Sequence, residues 1–400
     1  MYMRRNYMSS FDSFGIAEKI MEALEKEWKE MKIMNVMLLG KTGVGKSTLI
    51  NNLFNERIAE TGIGRPVTQE IRQYSKEKYP LTIYDTPGLE LGGDNAIEKL
   101  LKGVNDEIRK GIASGDMNKA IHCILYCVSA ASHRFEEEEK KFIKMFLDEN
   151  KDTHIPVIIV ITKALSKKDA RELKSCIEAE NLAVAQIVPV LAEDYELDED
   201  TVIKSYGLDR LSEVMYEIIP DAMKKTFISV QKANIKLKTQ KAQAIVIGAA
   251  ATAGATGVIP IPFADSFALV PEQIAMLASI TAVFGLSLEK SAIAAIVSGT
   301  LGTAGATIAG KTAVSGILKL IPGAGSVAGG VVSGGVAAAL TAALGEAYIA
   351  VMVAIAKGDM KEGDLKTEKG KKFLSDTFKN MLRLKRDKNG ARIEDGDDDI

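Results

Sequence analysis

The sequence predicts an α/β domain, a mainly parallel sheet flanked by helices, followed by an all-helical C-terminal domain. Three observations carry that expectation. Between Ile33 and about Asp221, short apolar runs of strand length alternate with charged stretches of helix length, the pattern of a parallel sheet covered on both faces. A glycine-rich octapeptide, Gly40 to Ser47, joins the first apolar run to the first helical stretch. Beyond about Lys225 the chain becomes rich in Ala, Gly, Ile and Val and nearly free of charge until about Lys357. The expected organisation is an N-terminal amphipathic helix (1–32), the α/β domain (33–225), the Ala/Gly-rich helical domain (226–357) and a charged C-terminal helix with an acidic tail (358–400).

Taken in order, Ser9 to Lys32 reads as an amphipathic helix, with Phe14, Ile16, Ile20, Met21 and Leu24 set among Glu and Lys, and is expected to pack against the domain that follows. The strand candidates are Ile33–Leu39, Leu81–Tyr84, Ile121–Val128, Ile155–Ile161 and Ala185–Val190. The helices expected between and after them are Lys46–Glu56, Ala96–Ile112, Phe135–Glu149, Lys168–Glu180 and Leu208–Met223. The whole chain has 400 residues, 46% hydrophobic and 26% charged, with a net charge of −2. That is ordinary globular composition with enough apolar material for a large core, and it excludes a global electrostatic pull towards nucleic acid or anionic lipid. Cys123 and Cys127 share one face of a strand, roughly 13 Å apart, too far to bridge. With Cys176 they read as buried structural thiols of a reduced, cytosolic chain. Arg4 and Arg5 are not followed by an apolar run, so the first ten residues do not read as a signal peptide.

The strongest chemical signal is Gly40-Lys41-Thr42-Gly43-Val44-Gly45-Lys46-Ser47, which satisfies G-x-x-x-x-G-K-[ST] between a strand and a helix. Glycines at 40, 43 and 45 let the backbone curl so that successive N–H groups converge on phosphate oxygens. The helix begun by Lys46, Ser47 and Thr48 sets its N-terminal partial charge behind them. Lys46 is expected to span the β- and γ-phosphates, and the Ser47 hydroxyl to ligate magnesium. Asp85-Thr86-Pro87-Gly88 ends the run Leu81–Tyr84, where Asp85 can hold the same ion through water and the Gly88 N–H can reach the γ-phosphate. Between them, Gly62-Ile63-Gly64-Arg65-Pro66-Val67-Thr68 reads as a loop whose Thr68 closes over metal and γ-phosphate; a plain turn is the plainer alternative. Thr162-Lys163 follows the strand Ile155–Ile161, with Lys163 placed to lie along a base and brace the phosphate loop.

These segments resemble the Era/TrmE-like P-loop GTPases, and more narrowly bacterial relatives of the immunity-related GTPases, whose GTPase domain precedes an Ala/Gly-rich helical domain. The resemblance spans roughly Ile33 to Ala356 and includes Ile259–Asp265 and Leu320–Ser326. It implies binding of GTP and GDP, Mg2+, slow hydrolysis, and the roles already given to Lys46, Ser47, Thr68, Asp85 and Gly88. One departure matters. The guanine-reading segment, normally Asn/Thr-Lys-x-Asp, here reads Thr162-Lys163-Ala164-Leu165. Losing the carboxylate costs on the order of 1.5–3 kcal/mol of base recognition. Asp169 and Asp194 are the substitutes in view, neither at the expected spacing, and Pro189–Ala192 sits where the last base-contacting loop belongs. Leu89, directly after Gly88, cannot orient a water as a glutamine would. His133 and Arg134 offer an arginine finger across a dimer, or simply a solvated loop.

The C-terminal half poses a choice. Ala242–Ala264, Ser291–Gly310 and Leu320–Gly345 are uncharged and long enough to cross a bilayer. Their Ala/Gly/Ser/Thr composition and Pro260, Pro262 and Pro322 favour a soluble bundle with tight crossings. Phe263–Lys290 reads as one or two amphipathic helices with Asp265, Glu272 and Glu289 on the wet side. The basic segment Lys379–Arg392 and the acidic end read as solvated. Two function classes follow: a GTPase switch that repositions its helical domain, and a dynamin-like or immunity-GTPase-like mechanoenzyme acting on membranes. The expected partners are guanine nucleotide, a homodimer or higher self-assembly, and a membrane surface met through 242–356. No strong nucleic-acid signal is present. The expected location is cytoplasmic, with membrane association in the second class.

Overall fold

The computed structural model describes residues 12–55, 71–86, 88, 96–132, 134–256, 271–286, 288–299, 334–370, 372–374, 376, 377 and 380. Contacts divide the chain into two units, Trp28–Leu237 and Met1–Glu27 with Lys238–Ile400. The first helix, α1 (Ser13–Glu30), therefore groups up to Glu27 with the helical half, whereas the sequence suggested that it packs on the domain after it.

The unit Trp28–Leu237 is built on a six-stranded sheet in the order β2-β3-β1-β4-β5-β6. Five strands are parallel: β1 (Met34–Gly40), β3 (Tyr79–Asp85), β4 (Cys123–Ser129), β5 (Val157–Thr162) and β6 (Gln186–Pro189). They coincide with the five apolar runs because a parallel strand buried on both faces has no polar side to show. Alternation sorts their residues. Val36, Leu38, Cys123, Leu125 and Cys127 face α2 (Lys46–Leu53), α6 (Leu208–Ile218) and α7 (Asp221–Val230). Met37, Leu39, Ile124, Tyr126 and Val128 face α3 (Ala96–Ala113), α4 (Glu137–Asn150) and α5 (Lys167–Glu178).

Two strand features escape the apolar pattern. β2 (Arg72–Lys76) pairs antiparallel with β3 at the sheet edge, and only Tyr74 packs against the core, so its sequence looks like loop. The hairpin of β7 (Tyr195–Glu196) and β8 (Val202–Ile203) leaves Tyr195, Leu197 and Val202 exposed. The single helix expected over Leu208–Met223 is two, because Pro220 has no N–H to continue α6 and instead stands at the N-cap of α7. Burial pushes the Cys123 and Cys127 thiols up to about 12, so both are inert packing groups. Cys176 is exposed, contrary to the reading of all three as buried.

In the other unit, α8 (Ile235–Thr256), α9 (Pro271–Phe284), α10 (Lys290–Val297) and α11 (Gly334–Lys357) are described. Ile259–Asp265 and Leu320–Ser326 lie outside the described residues, as do the acidic end and nearly all of Lys379–Arg392. α9 is buried over most of its surface, at Gln273, Met276, Leu277, Ala278, Ile280, Thr281, Ala282 and Phe284, and keeps a narrow wetter strip at Glu272, Ala275, Ser279 and Val283. Glu272 and Glu289, the latter at the start of α10, are exposed as expected. Gln273 Nε2 donates to Thr341 Oγ1 at 3.2 Å, and Thr281 Oγ1 shares a hydrogen bond of 2.8 Å with the Tyr348 hydroxyl. Both partners advance by about two turns, so α9 and α11 run parallel. Gly345 lets α8 approach, since a Cβ there would lie 2.4 Å from Val246 Cγ2. One stretch among the described residues, Ala338–Lys357, is long and apolar enough to cross a membrane, and most of it is buried in the protein.

Lys238, 1% exposed, donates from Nζ to the carbonyls of Val283 (2.7 Å) and Phe284 (2.9 Å), closing the C-terminal end of α9. Burial holds its ammonium well below the usual lysine range. The unfolded chain keeps this proton up to about pH 10.4 while the folded chain releases it earlier, so unfolding takes up a proton between those values. Stability contributed here rises with pH across that window and is lost as pH falls through it. Urea denaturation at several alkaline pH values is expected to show this slope in the native chain and a shallower one in Lys238→Met.

Candidate functional site

The phosphate loop is shaped by backbone that only glycine adopts cheaply. Gly40, Gly43 and Gly45 have φ of 132°, 74° and 101°. At Gly40 space is also decisive: a Cβ would stand 2.3 Å from the Cys127 carbonyl oxygen of β4. Gly45, at the N-cap of α2, offers no side-chain cap, so the first-turn N–H groups begun by Lys46, Ser47 and Thr48 are left for another acceptor. Lys46 is 9% exposed, and its ammonium donates to the carbonyls of Gly40 (2.9 Å) and Lys41 (3.1 Å). The cation thus lies folded over the loop that is expected to hold phosphate. Thr42 and Ser47 are half-buried, Val44 is buried and Gly43 is exposed.

Asp85 ends β3 beside this loop, 8% exposed, with Oδ1 buried and lacking a hydrogen-bond partner. Burial raises its carboxyl above the ordinary aspartate range, while the charges of Lys46 and Arg72 pull it back. A buried carboxylate oxygen left open this way, close to a cation and an uncapped helix start, suits a divalent ion. Thr86, which the motif reading passed over, fixes the segment: its hydroxyl donates to the Leu38 carbonyl of β1 at 2.8 Å, and its N–H reaches the same oxygen at 3.3 Å. Gly88 is buried two residues on. Thr68, Leu89 and the whole of Gly62–Thr68 lie outside the described residues, as does His133; Arg134 is exposed.

On the base side, Thr162 braces the phosphate loop by hydrogen bonding, with the Lys163 stem beside it. The Thr162 hydroxyl lies within hydrogen-bond reach of two carbonyls, Val44 in the loop and Val128 of β4 (3.1 Å). Lys163 is exposed, in a left-handed conformation (φ 51°), with its aliphatic stem alongside Gly45. The segment after it is held by Tyr206, whose hydroxyl donates to the Ala164 carbonyl at 2.7 Å and whose ring lies 4.9 Å from the Lys167 ammonium. Tyr206 and Leu191 also exchange backbone hydrogen bonds of 3.0 Å each. Asp194, one substitute for the missing guanine-reading carboxylate, is already engaged. Its Oδ2 pairs with Lys204 Nζ and its Oδ1 accepts from the Ser205 N–H, both at 2.8 Å, holding its carboxyl down at about 2. Asp169 stands in the first turn of α5, where its charge suits the helix dipole and its N–H is capped by Ser166 Oγ.

Thr162→Val keeps the shape of this side chain and removes the donor shared by two buried carbonyls. A loss of about 1–3 kcal/mol is expected in urea denaturation, with Thr162→Ser recovering most of it.

Residues 35–163 match the family model described as 50S ribosome-binding GTPase, and residues 224–386 match Domain of unknown function (DUF697). Among curated relatives, neuronal-specific septin-3 of Danio rerio is 30% identical over 227 residues, covering 50% of this chain and 60% of the relative. Septin-9 of Homo sapiens is 26% identical over 239 residues, covering 53% and 38%. The chain thus spans less than two thirds of the length of these relatives. Among solved structures, Era of Aquifex aeolicus bound to GDP·AlF4− aligns at 20% identity and a TM-score of 0.35, covering 56% of this chain and 68% of that one. Toc33 of Arabidopsis thaliana with Mg2+ and GMPPNP aligns at 21% and 0.32, covering 55% and 95%. At these TM-scores the superpositions set no functional constraint. The motif geometry and the first family model agree that residues 35–163 carry a P-loop GTPase fold similar to the 50S ribosome-binding GTPases, and residues 224–386 are similar to DUF697.

Proposed function

We propose that the chain binds GTP and hydrolyses it to GDP and phosphate with Mg2+, using the nucleotide cycle to reposition or assemble its helical unit. The observation that supports this most is the Lys46 ammonium resting on the Gly40 and Lys41 carbonyls inside a loop of left-handed glycines. A triphosphate offers that cation stronger, charged acceptors than two neutral carbonyls. The N–H groups of the loop and of the α2 start would grip the β-phosphate, and Lys46 would bridge β- and γ-oxygens. Ser47 and Asp85, with Thr68, would hold Mg2+, which when bound neutralises charge building on the phosphate oxygens. Gly88 N–H would contact the γ-phosphate. With Leu89 after it, nothing at that position orients the attacking water, and turnover without a partner is expected to be slow.

Guanine selection does not rest on the usual carboxylate here. Leu165 cannot accept from the base, and Asp194 is bound to Lys204 and Ser205. What supports guanine is the match of residues 35–163 to the GTPase family model; the Lys163 stem beside Gly45 suits either purine. A second reading, a membrane-acting mechanoenzyme that self-assembles, is favoured by the apolar stretch Ala338–Lys357. In both readings the proposed location is cytoplasmic, with membrane contact only in the second.

Calorimetric titration of GTP, GDP and ATP with Mg2+ tests the first reading. GTP and GDP are expected to bind at least about tenfold more tightly than ATP, a difference of about 1.4 kcal/mol, and Lys46→Ala to abolish triphosphate binding. Equal affinity for ATP would overturn the guanine assignment and leave the phosphate site standing. Turnover stimulated by liposomes and by protein concentration marks the mechanoenzyme; turnover indifferent to both removes it.

A further inference from the structure

Lys41, the second residue of the phosphate loop, carries two interactions at once. Its backbone carbonyl receives the Lys46 ammonium at 3.1 Å. Its own ammonium is hydrogen-bonded and ion-paired to Glu136 Oε2, 95 residues away in sequence, with the two side chains 19% and 39% exposed. Glu136 is no loose surface acid. It is the N-cap of α4, and its N–H donates to Glu139 Oε2 at 3.1 Å in a reciprocal capping box. Glu139 is 2% exposed, and α4 is fastened to the sheet by Phe142, Ile143 and Phe146. Burial works against the charge on Lys41, yet the bond to Glu136 and the nearby carboxylates of Glu139 and Glu138 hold its proton above the usual lysine range. Glu136 is correspondingly held down, by its bond to Lys41 first.

We infer that the Lys41–Glu136 pair is a strut that holds the phosphate loop in its nucleotide-ready curl, and that Glu136 is a positioning residue setting how long a nucleotide stays bound. The inference rests on the proposed nucleotide reading and deepens it. When a phosphate takes the Lys46 ammonium, the Gly40 and Lys41 carbonyls lose their donor, and the loop loses the internal tie that shaped it. The strut is anchored outside the loop, on a capped helix, so it persists through that exchange. An exposed lysine–glutamate pair contributes little because water competes and both side chains lose freedom. Here the backbone of the acid is held at the capped start of α4, and the lysine is half-buried.

The test is release of fluorescently labelled GDP, followed by stopped flow after mixing with excess unlabelled GDP. Glu136→Gln and Lys41→Met are each expected to raise the dissociation rate about tenfold while leaving the association rate within about twofold. The double exchange Lys41→Glu with Glu136→Lys is expected to return the rate to within about threefold of the native chain. Glu137→Gln, which removes an exposed charge from the same helix turn and spares the pair, should leave release nearly unchanged. Dissociation unaltered in Glu136→Gln, or raised equally by Glu137→Gln, would overturn the strut; the second result would assign the effect to the charge of the helix start alone. Should Lys41→Met fail to fold by circular dichroism, Glu136→Gln and the double exchange decide the matter. A native chain that binds no labelled GDP would overturn the nucleotide reading itself, and the strut with it.

Discussion

The structure turns on a loop that must curl tightly enough to face its own N–H groups inward. Left-handed backbone at three glycines makes the curl, and close approach of β4 forbids any side chain at Gly40. A curled loop with a cation at its end needs acceptors when no phosphate is present, and it finds them in its own carbonyls through Lys46. The neighbouring contacts support that arrangement. Thr162 ties the loop to β4 and β5, Thr86 ties Asp85 to β1, and Glu136 ties Lys41 to α4. Each joins the end of one strand or helix to a neighbouring segment, at the C-terminal edge of the parallel strands where such sites lie.

That edge also explains why phosphate and base recognition were unequally legible in the sequence. Phosphate binding depends on backbone geometry, and backbone geometry leaves a glycine signature; the loop could be read from residues 40 to 48 without any structure. The contacts that brace it come from residues of ordinary type, Thr86, Glu136 and Tyr206, whose importance lies in where their oxygens end up. Asp194 shows the converse: an acid in a plausible place along the chain, whose two oxygens are already committed to Lys204 and Ser205.

The same contrast runs through the fold. The five parallel strands were visible because burial on both faces leaves few polar residues inside them, Asn35 and Thr82 among them. β2 was not, since an edge strand with one residue on the core reads as loop. The break at Pro220 had a signal in the sequence, a residue that cannot donate, and the long helix drawn through Leu208–Met223 ignored it. α9 was legible only in part. Glu272 and Glu289 are exposed as their charge suggested, but the strip between them is made of Ala275, Ser279 and Val283, small or apolar residues that mark a helical face only weakly.

The two polar pairs between α9 and α11 have a consequence for how the helical unit could ever meet lipid. Amide and hydroxyls that satisfy one another inside the protein have no water to turn to in hydrocarbon, where an unmatched polar group costs several kcal/mol. Gln273 with Thr341, and Thr281 with Tyr348, therefore bind the two helices into one cargo. Either both would enter a bilayer side by side, still clasped, or neither would leave the aqueous phase; a lone excursion by Ala338–Lys357 would strand its partners dry on both sides.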